Sequence, residues 1–115
     1  VQRRFRLTRS DDIKRVRRDG KTLANSILVL GFLPNQLEQD RIAIIGGRSL
    51  GGAVQRNFAK RRLRSAFHNL QTELVQGYDL VLIARKPILD VEYQTLVDGM
   101  RALASQAGLM KDLVN

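Results

Sequence analysis

A chain of 115 residues, 43% of them hydrophobic, with a net charge of +9 has the length of one domain spanning 1–115 and enough apolar matter for a single core. No apolar run approaches the roughly 18 residues that cross a bilayer, and the basic start lacks the apolar centre of a secretory signal. The absence of cysteine removes disulfides and thiolate metal sites and fits a cytosolic setting. The charge is concentrated. Residues 1–21 hold nine Lys/Arg against three acids, residues 48–64 hold six against none, and the remainder hold five against eight. Such zones on a slightly acidic remainder form a directed surface facing nucleic acid or an anionic membrane. Arginine outnumbers lysine fifteen to five, and its planar fork suits phosphate.

In chain order, Ser10 with Asp11 and Asp12 reads as a helix start, because a short oxygen-bearing side chain satisfies orphan amides and acids suit the positive end of the dipole. This helix runs to about Arg18 and stops at Gly20. Its core residues are Ile13 and Val16, so it depends on the rest of the domain to form. Thr22 to Asn25 reads as a short strand, Ser26 to Leu33 as a longer one closed by Pro34-Asn35, and Arg41 to Ile45 as a third ending in Gly46-Gly47. Ala53 to about Gln76 reads as a long basic helix stopped near Gly77. Tyr78 to Ala84 is a nearly continuous apolar strand, which implies burial on both faces. After Pro87, Asp90 caps a last helix whose inner stripe is Val91, Leu96, Val97, Met100, Leu103 and Ala104. Gly99 in its middle costs about 1 kcal/mol relative to alanine. The order is α-β-β-β-α-β-α, an α+β domain with one four-stranded sheet.

The long helix carries the chemistry. At about 100° per residue, Asn57, Lys60, Arg61 and Arg64 fall on one sector flanked by Ala53 and His68. Ala59, Leu63, Ala66 and Leu70 fall on another, with Phe67 at its edge. One side is built to be buried, and the other offers guanidinium, ammonium and amide groups in a row. Solvated faces normally mix signs for i,i+4 pairing, whereas Arg56, Lys60 and Arg64 repeat one sign and repel unless an anion is supplied. A nucleic-acid backbone supplies it.

Other constellations are weaker. The Gly46 to Gly52 link joins a strand to a helix, as phosphate-cradling loops do, but it lacks the Gly-Lys-Ser/Thr ending and the dinucleotide pattern. It reads either as a turn that lets an RNA backbone approach or as a plain connector. His68, the only histidine, has no identifiable partners for metal binding or nucleophilic catalysis. The carboxylates are dispersed and form no two-metal nuclease centre.

At the long helix the chain resembles the bacterial ribonuclease P protein subunit family. The family's hallmark, RNxxKRxxR, is matched at all five fixed positions by Arg56, Asn57, Lys60, Arg61 and Arg64. Gly51-x-Ala53-Val54 precedes it as the family's Gly-Asn-Ala-Val segment does. Arg6-Leu7, Asp12, Gly20, Ala24-Asn25 and Ala84-Arg85-Lys86-Pro87 match in order and spacing over essentially the whole chain. The resemblance implies a ribosomal-protein-like two-layer sandwich with a left-handed crossover around the hallmark helix. It also implies a bacterial cytoplasmic protein that joins a catalytic RNA to remove the 5′ leader of precursor tRNA. The RNA performs the hydrolysis with Mg²⁺ that it mainly holds itself, and the protein contributes no catalytic residue and no dedicated metal site.

Residue by residue, the resemblance and the charge pattern assign RNA contact to Arg56, Asn57, Lys60, Arg61 and Arg64, with Arg48, Arg6 and Arg85 beside them. The leader is expected in a cleft between the sheet and the long helix. Family members commonly carry aromatics on the first helix and on the central sheet near Gly31. This chain has Ile13 and Arg17 on the helix, and Phe32 is the ring nearest the sheet position; these three are the candidate leader contacts. Phe58 stands where the family is usually basic and Arg62 where it is usually apolar. The alternatives are a ribosomal-protein-like RNA-binding module with no processing role, a protein-only nuclease, and a DNA-binding helix-turn-helix protein. The dispersed carboxylates weigh against the nuclease, and the lack of a closely spaced partner helix weighs against the last.

Overall fold

The computed structural model describes residues 6–111; the first five residues of the N-terminal basic zone lie outside that range. The elements are α1 (Ser10–Asp19), β1 (Lys21–Ala24), β2 (Leu28–Pro34), β3 (Arg41–Gly46), α2 (Ala53–Leu70), β4 (Tyr78–Ala84) and α3 (Tyr93–Gln106), in the expected order. Short 3₁₀ turns occupy Arg48–Leu50, Gln71–Glu73 and Lys86–Leu89.

The four strands form one sheet in the order β1-β2-β4-β3. β2 is antiparallel to both β1 and β4, while β3 and β4 are adjacent and parallel. Parallel neighbours need a crossover, and α2 provides it. Alternation along the strands then sorts the side chains. Leu28, Leu30, Phe32, Ile42, Leu80, Leu82 and Ala84 face α2 and α3 and build the main core with Leu63, Leu70, Leu96, Met100 and Leu103. On the other face, Ala43 and Val81 pack with Leu7 and Val16 of the α1 segment. β4 is therefore covered on both sides, as its unbroken apolar run implies.

The predicted boundaries shift where tertiary contacts intervene. α1 begins at Ser10 itself, with Arg9 in the cap position and no side-chain cap. β2 starts at Leu28 because the Asn25 carbonyl oxygen Oδ1 accepts from the amides of Ile27 and Leu28 and holds Ser26-Ile27 in a turn. α2 ends at Leu70, short of Gln76: Leu74 leaves the helical path to bridge Met110, and the Val75 amide donates to the Leu109 carbonyl. α3 begins at Tyr93 after Glu92, while Asp90 closes the Lys86–Leu89 turn. Val91 consequently precedes the helix, although it still packs against the core.

Two glycines are explained by close approach. A Cβ on Gly20 would lie 2.4 Å from the Phe32 carbonyl oxygen and 2.6 Å from that of Val16, so this residue lets α1 end against β2. A Cβ on Gly46 would lie 2.9 Å from the Arg56 carbonyl oxygen and 3.3 Å from Lys60 Cγ. Gly46 thus admits the first turns of α2 onto the end of β3. Gly99 is a milder case: Asn25 Nδ2 donates to its carbonyl at 3.2 Å and would make only a tight 3.2 Å contact with a Cβ there.

The β2–β3 loop is fastened by Asp40, whose carboxylate accepts from the Tyr78 amide at 2.8 Å. Burial pushes the Asp40 carboxyl up to about 6, against the downward pull of the Tyr78 and Gly77 amides, and the nearby Asp79 charge adds to the rise. A raised carboxyl value means the native state holds its proton more tightly than the unfolded chain. The associated stability is fully present below about pH 4 and is lost as pH rises through 6. Asp40→Asn keeps an acceptor for Tyr78 and removes the charge. It is expected to be more stable than the parent by about 1 kcal/mol at pH 7.5, after discounting for solvent screening. At pH 4 the difference vanishes. Urea unfolding at the two pH values measures both.

Candidate nucleic-acid interface

α2 lies over β3 with its apolar residues Ala59, Leu63, Ala66, Phe67 and Leu70 buried. That packing turns Asn57 and Arg61 outward, where they are exposed, and leaves Arg56, Lys60 and Arg64 half-exposed along the β3 side. No acid of the described residues pairs with these cations. The ion pairs lie elsewhere: Asp12 and Asp79 engage Arg15 and Arg41, Asp19 engages Arg18, and Glu73 engages Arg101. The protein thus neutralises arginines of α1, β3 and α3 and leaves the α2 row to an external anion.

The cationic surface extends past both ends of the row. Arg48 and Arg85 are exposed on segments next to one another, because the Arg48–Leu50 turn packs against the Lys86–Leu89 turn. Arg85 also donates from Nη1 to the Asn25 carbonyl at 3.0 Å, which fixes its position over the β1–β2 turn. At the far end, Arg6 forms a parallel bridge to Ile42, and the neighbouring Leu7 amide donates to the Ile42 carbonyl at 2.7 Å. This places Arg6 with Arg64 on the rim of a groove of about 200 Å³ whose other walls are Leu7, Thr8, Ile13 and β3 residues 42–45. Arg61, Arg64, Ser65 and His68 line a shallow depression further along α2.

The three candidate leader contacts separate here. Ile13 lines the groove beside Arg64. Arg17, one turn further along α1, is exposed. Phe32 must be corrected: it is 8% exposed, packs against Tyr78 with ring centroids 6.4 Å apart, and belongs to the main core. The β2 register turns it toward α2 and α3, away from α1. Gly31 is the residue facing α1, and Val16 Cγ1 would lie 3.4 Å from a Cβ there. The α1 side of the sheet instead offers the half-buried aliphatic row Ile45, Ile83 and Val29, contiguous through the strand pairing.

A buried anchor that the sequence reading passed over fastens α1 to the sheet near the groove. Asp79 is fully buried and accepts from Arg41 at 2.7 and 2.9 Å, Asn35 at 3.0 Å and Arg15 at 3.2 Å. Burial opposes its ionisation, but the hydrogen bonds from Arg41, Asn35 and Arg15 outweigh that penalty and hold the carboxyl below its ordinary value. The anchor ties α1 through Arg15 to β3 through Arg41. An acid at the start of an apolar strand expected to be buried on both faces was the available signal.

Glycines of the Gly46 to Gly52 link are committed to the protein's own geometry. Gly46 makes room for α2, Gly51 has φ +120°, a conformation side chains disfavour, and the Gly52 amide donates to Gln55 Oε1. These contacts account for Gly46, Gly51 and Gly52 by the protein's own geometry. Among the described residues, no three His, Cys, Asp or Glu side chains group as a metal-binding set, and no helix is long and apolar enough to cross a membrane.

A cation row with no counter-ion among the described residues, beside an aliphatic groove on a crossover α+β domain, defines a protein of the nucleic-acid-binding class. Comparison with known proteins narrows the class. The chain belongs to the ribonuclease P protein family, whose model matches residues 1–108. It is 38% identical over 111 residues to the ribonuclease P protein component of Chloroflexus aurantiacus, covering 96% of this chain and 82% of that one. With the protein component of Caldanaerobacter subterraneus it shares 34% identity over 107 residues, covering 93% and 92%. The fold is similar to the Staphylococcus aureus RNase P protein, with a TM-score of 0.82 at 25% identity over 93% of this chain and 98% of that one. It is also similar to the Thermotoga maritima protein, with a TM-score of 0.79 at 28% identity over 88% and 96%.

Proposed function

We propose that this chain acts as the protein subunit of a bacterial ribonuclease P ribonucleoprotein in the cytoplasm, binding the catalytic RNA and the 5′ leader of precursor tRNA. The observation that carries this reading is the α2 row, five fixed positions of the family hallmark on a surface whose cations have no carboxylate partner among the described residues. In this reading the RNA subunit performs the hydrolysis with Mg²⁺ that it mainly holds. The polypeptide contributes charge and position. Lys60, Arg61 and Arg64 neutralise phosphates, each neutralised phosphate releases counter-ions, and the neutral Asn57 amide hydrogen-bonds beside them. The groove between Ile13, β3 and Arg64 takes the single-stranded leader, with aliphatic contacts to bases and cations at its rim.

Precursor cleavage by the catalytic RNA at low Mg²⁺, with and without the chain, tests this directly. The chain is expected to restore cleavage and to favour precursor over mature tRNA. A general RNA-binding module would bind without specific rescue, and that result would overturn the reading.

A further inference from the structure

α2 has a second flank, turned toward α3, that the hallmark row does not use. By helical spacing Phe58, Arg62, Ser65 and Asn69 fall within a sector of about 60°. Tyr93 of α3 marks where that sector points, since its hydroxyl meets Ser65 Oγ at 2.8 Å and also accepts from Asn69 Nδ2. Along this flank Phe58 is 37% and Tyr93 38% exposed, and Val54, one turn before Phe58, is 79% exposed. The Arg62 guanidinium stands 5.5 Å from the Phe58 ring centroid and has no carboxylate partner among the described residues.

Single exposed apolar residues are ordinary on a protein surface. Three further facts set this one apart. Arg62 makes a cation–π contact with Phe58, which holds the ring and the cation together as one preformed surface. The pair lies within the 48–64 stretch of six cations and no acid, which favours a polyanion over an apolar protein partner. The sheet supplies no substitute ring on its α1 side, because Phe32 is buried in the main core.

We propose that Phe58 and Arg62 form a stacking platform for an unpaired RNA base whose strand crosses the crest of α2 to the Asn57–Arg64 row. Phe58 supplies the aromatic surface, Arg62 over the ring meets the adjoining phosphate, and Lys60, Arg61 and Arg64 neutralise the backbone beyond. Stacking on a phenyl ring is tolerant of base identity, so the platform selects single-stranded over duplex RNA rather than one sequence over another. The proposal rests on the RNA-binding reading above and adds to it a site and a strandedness preference.

The chain contains no tryptophan, so Phe58→Trp places a single indole reporter at the platform. Titration with an oligoadenylate of about eight nucleotides and with a blunt RNA duplex of the same length, followed by indole emission and by anisotropy of labelled RNA, tests the proposal. Oligoadenylate is expected to quench the indole and the duplex to leave it unchanged. Phe58→Ala is expected to weaken oligoadenylate binding about five- to a hundredfold without altering the salt slope, its melting temperature staying near that of the parent. Oligoadenylate binding with a silent indole and an undiminished Phe58→Ala affinity would overturn the platform and leave the RNA-binding reading intact. Failure of the parent to bind either RNA would overturn both. Emission that depends on protein concentration without RNA would assign the flank to contact between copies of this chain and overturn the proposal.

Discussion

Changing Lys60, Arg61 and Arg64 together to alanine is expected to remove up to about three phosphates' worth of salt dependence from RNA binding. At about 0.7 to 0.9 per phosphate, the log–log slope falls by roughly 2 to 2.7, and affinity at about 0.1 M salt by about two orders of magnitude. The structure gives the reason. These side chains stand on a helix anchored by its opposite, buried face, are exposed or half-exposed, and have no carboxylate partner among the described residues. Their removal therefore breaks no internal ion pair. It also relieves like-charge repulsion between Arg56, Lys60 and Arg64, worth a few tenths of a kcal/mol per i,i+4 pair. The triple variant should thus melt no lower than the parent while binding RNA far more weakly. Filter binding across a salt series, with a melting curve on the same samples, checks both halves. An unchanged slope would show that this face is not the RNA surface.

The second large effect falls on stability. Asp79→Ala is expected to destabilise the domain by about 3 kcal/mol, near the lower end for breaking a buried ion pair, because Arg15 keeps 43% and Arg41 25% side-chain exposure and the orphaned cations find some water. Against a typical domain stability of about 5–15 kcal/mol, that is a substantial fraction. The pH dependence has a definite sign. A carboxyl held below its ordinary value contributes stability that is present above the unfolded-state value and is lost as pH falls through the native one. The parent should therefore lose stability on the acid side in a way that Asp79→Ala does not. Denaturant unfolding from pH 2 to 7 measures the difference, and hydrogen exchange should show α1 amides deprotected first. Equal acid limbs for parent and variant would remove Asp79 from the account.

The contrast between these variants shows which features were legible in the sequence. The α2 row could be read because helical periodicity is local: residues three and four apart share a face whatever the rest of the chain does. The strand order of the chain and the burial of β4 followed from runs of one kind of residue. Phe32 was misplaced as a candidate leader contact because strand alternation gives two faces but not which face meets which helix. That choice is made by Val16 and Gly31 closing α1 onto the sheet. The end of α2 was overrun for a similar reason, since Leu74 continues the helical pattern but is captured by Met110, 36 residues later. Asp79 looked like an isolated acid because its partners come from α1, β3 and the β2–β3 loop, separated by up to 64 residues in the chain.

The strand order also governs how the protein is made. Among the described residues β4 is the only strand that joins β3 to the rest of the sheet, and it is synthesised after α2. Until residues 78–84 leave the ribosome, β3 lacks its principal partner and α2 has no closed core to bury Leu63 and Leu70. Long-range pairing of this kind slows folding, because loop closure precedes the contacts that reward it. The nascent chain consequently presents its cationic helix residues before its hydrophobic ones are sheltered. Late arrival of β4 makes closure of the sheet a post-α2 event, and the main core closes only once α3, later still in the chain, supplies Leu96, Met100 and Leu103.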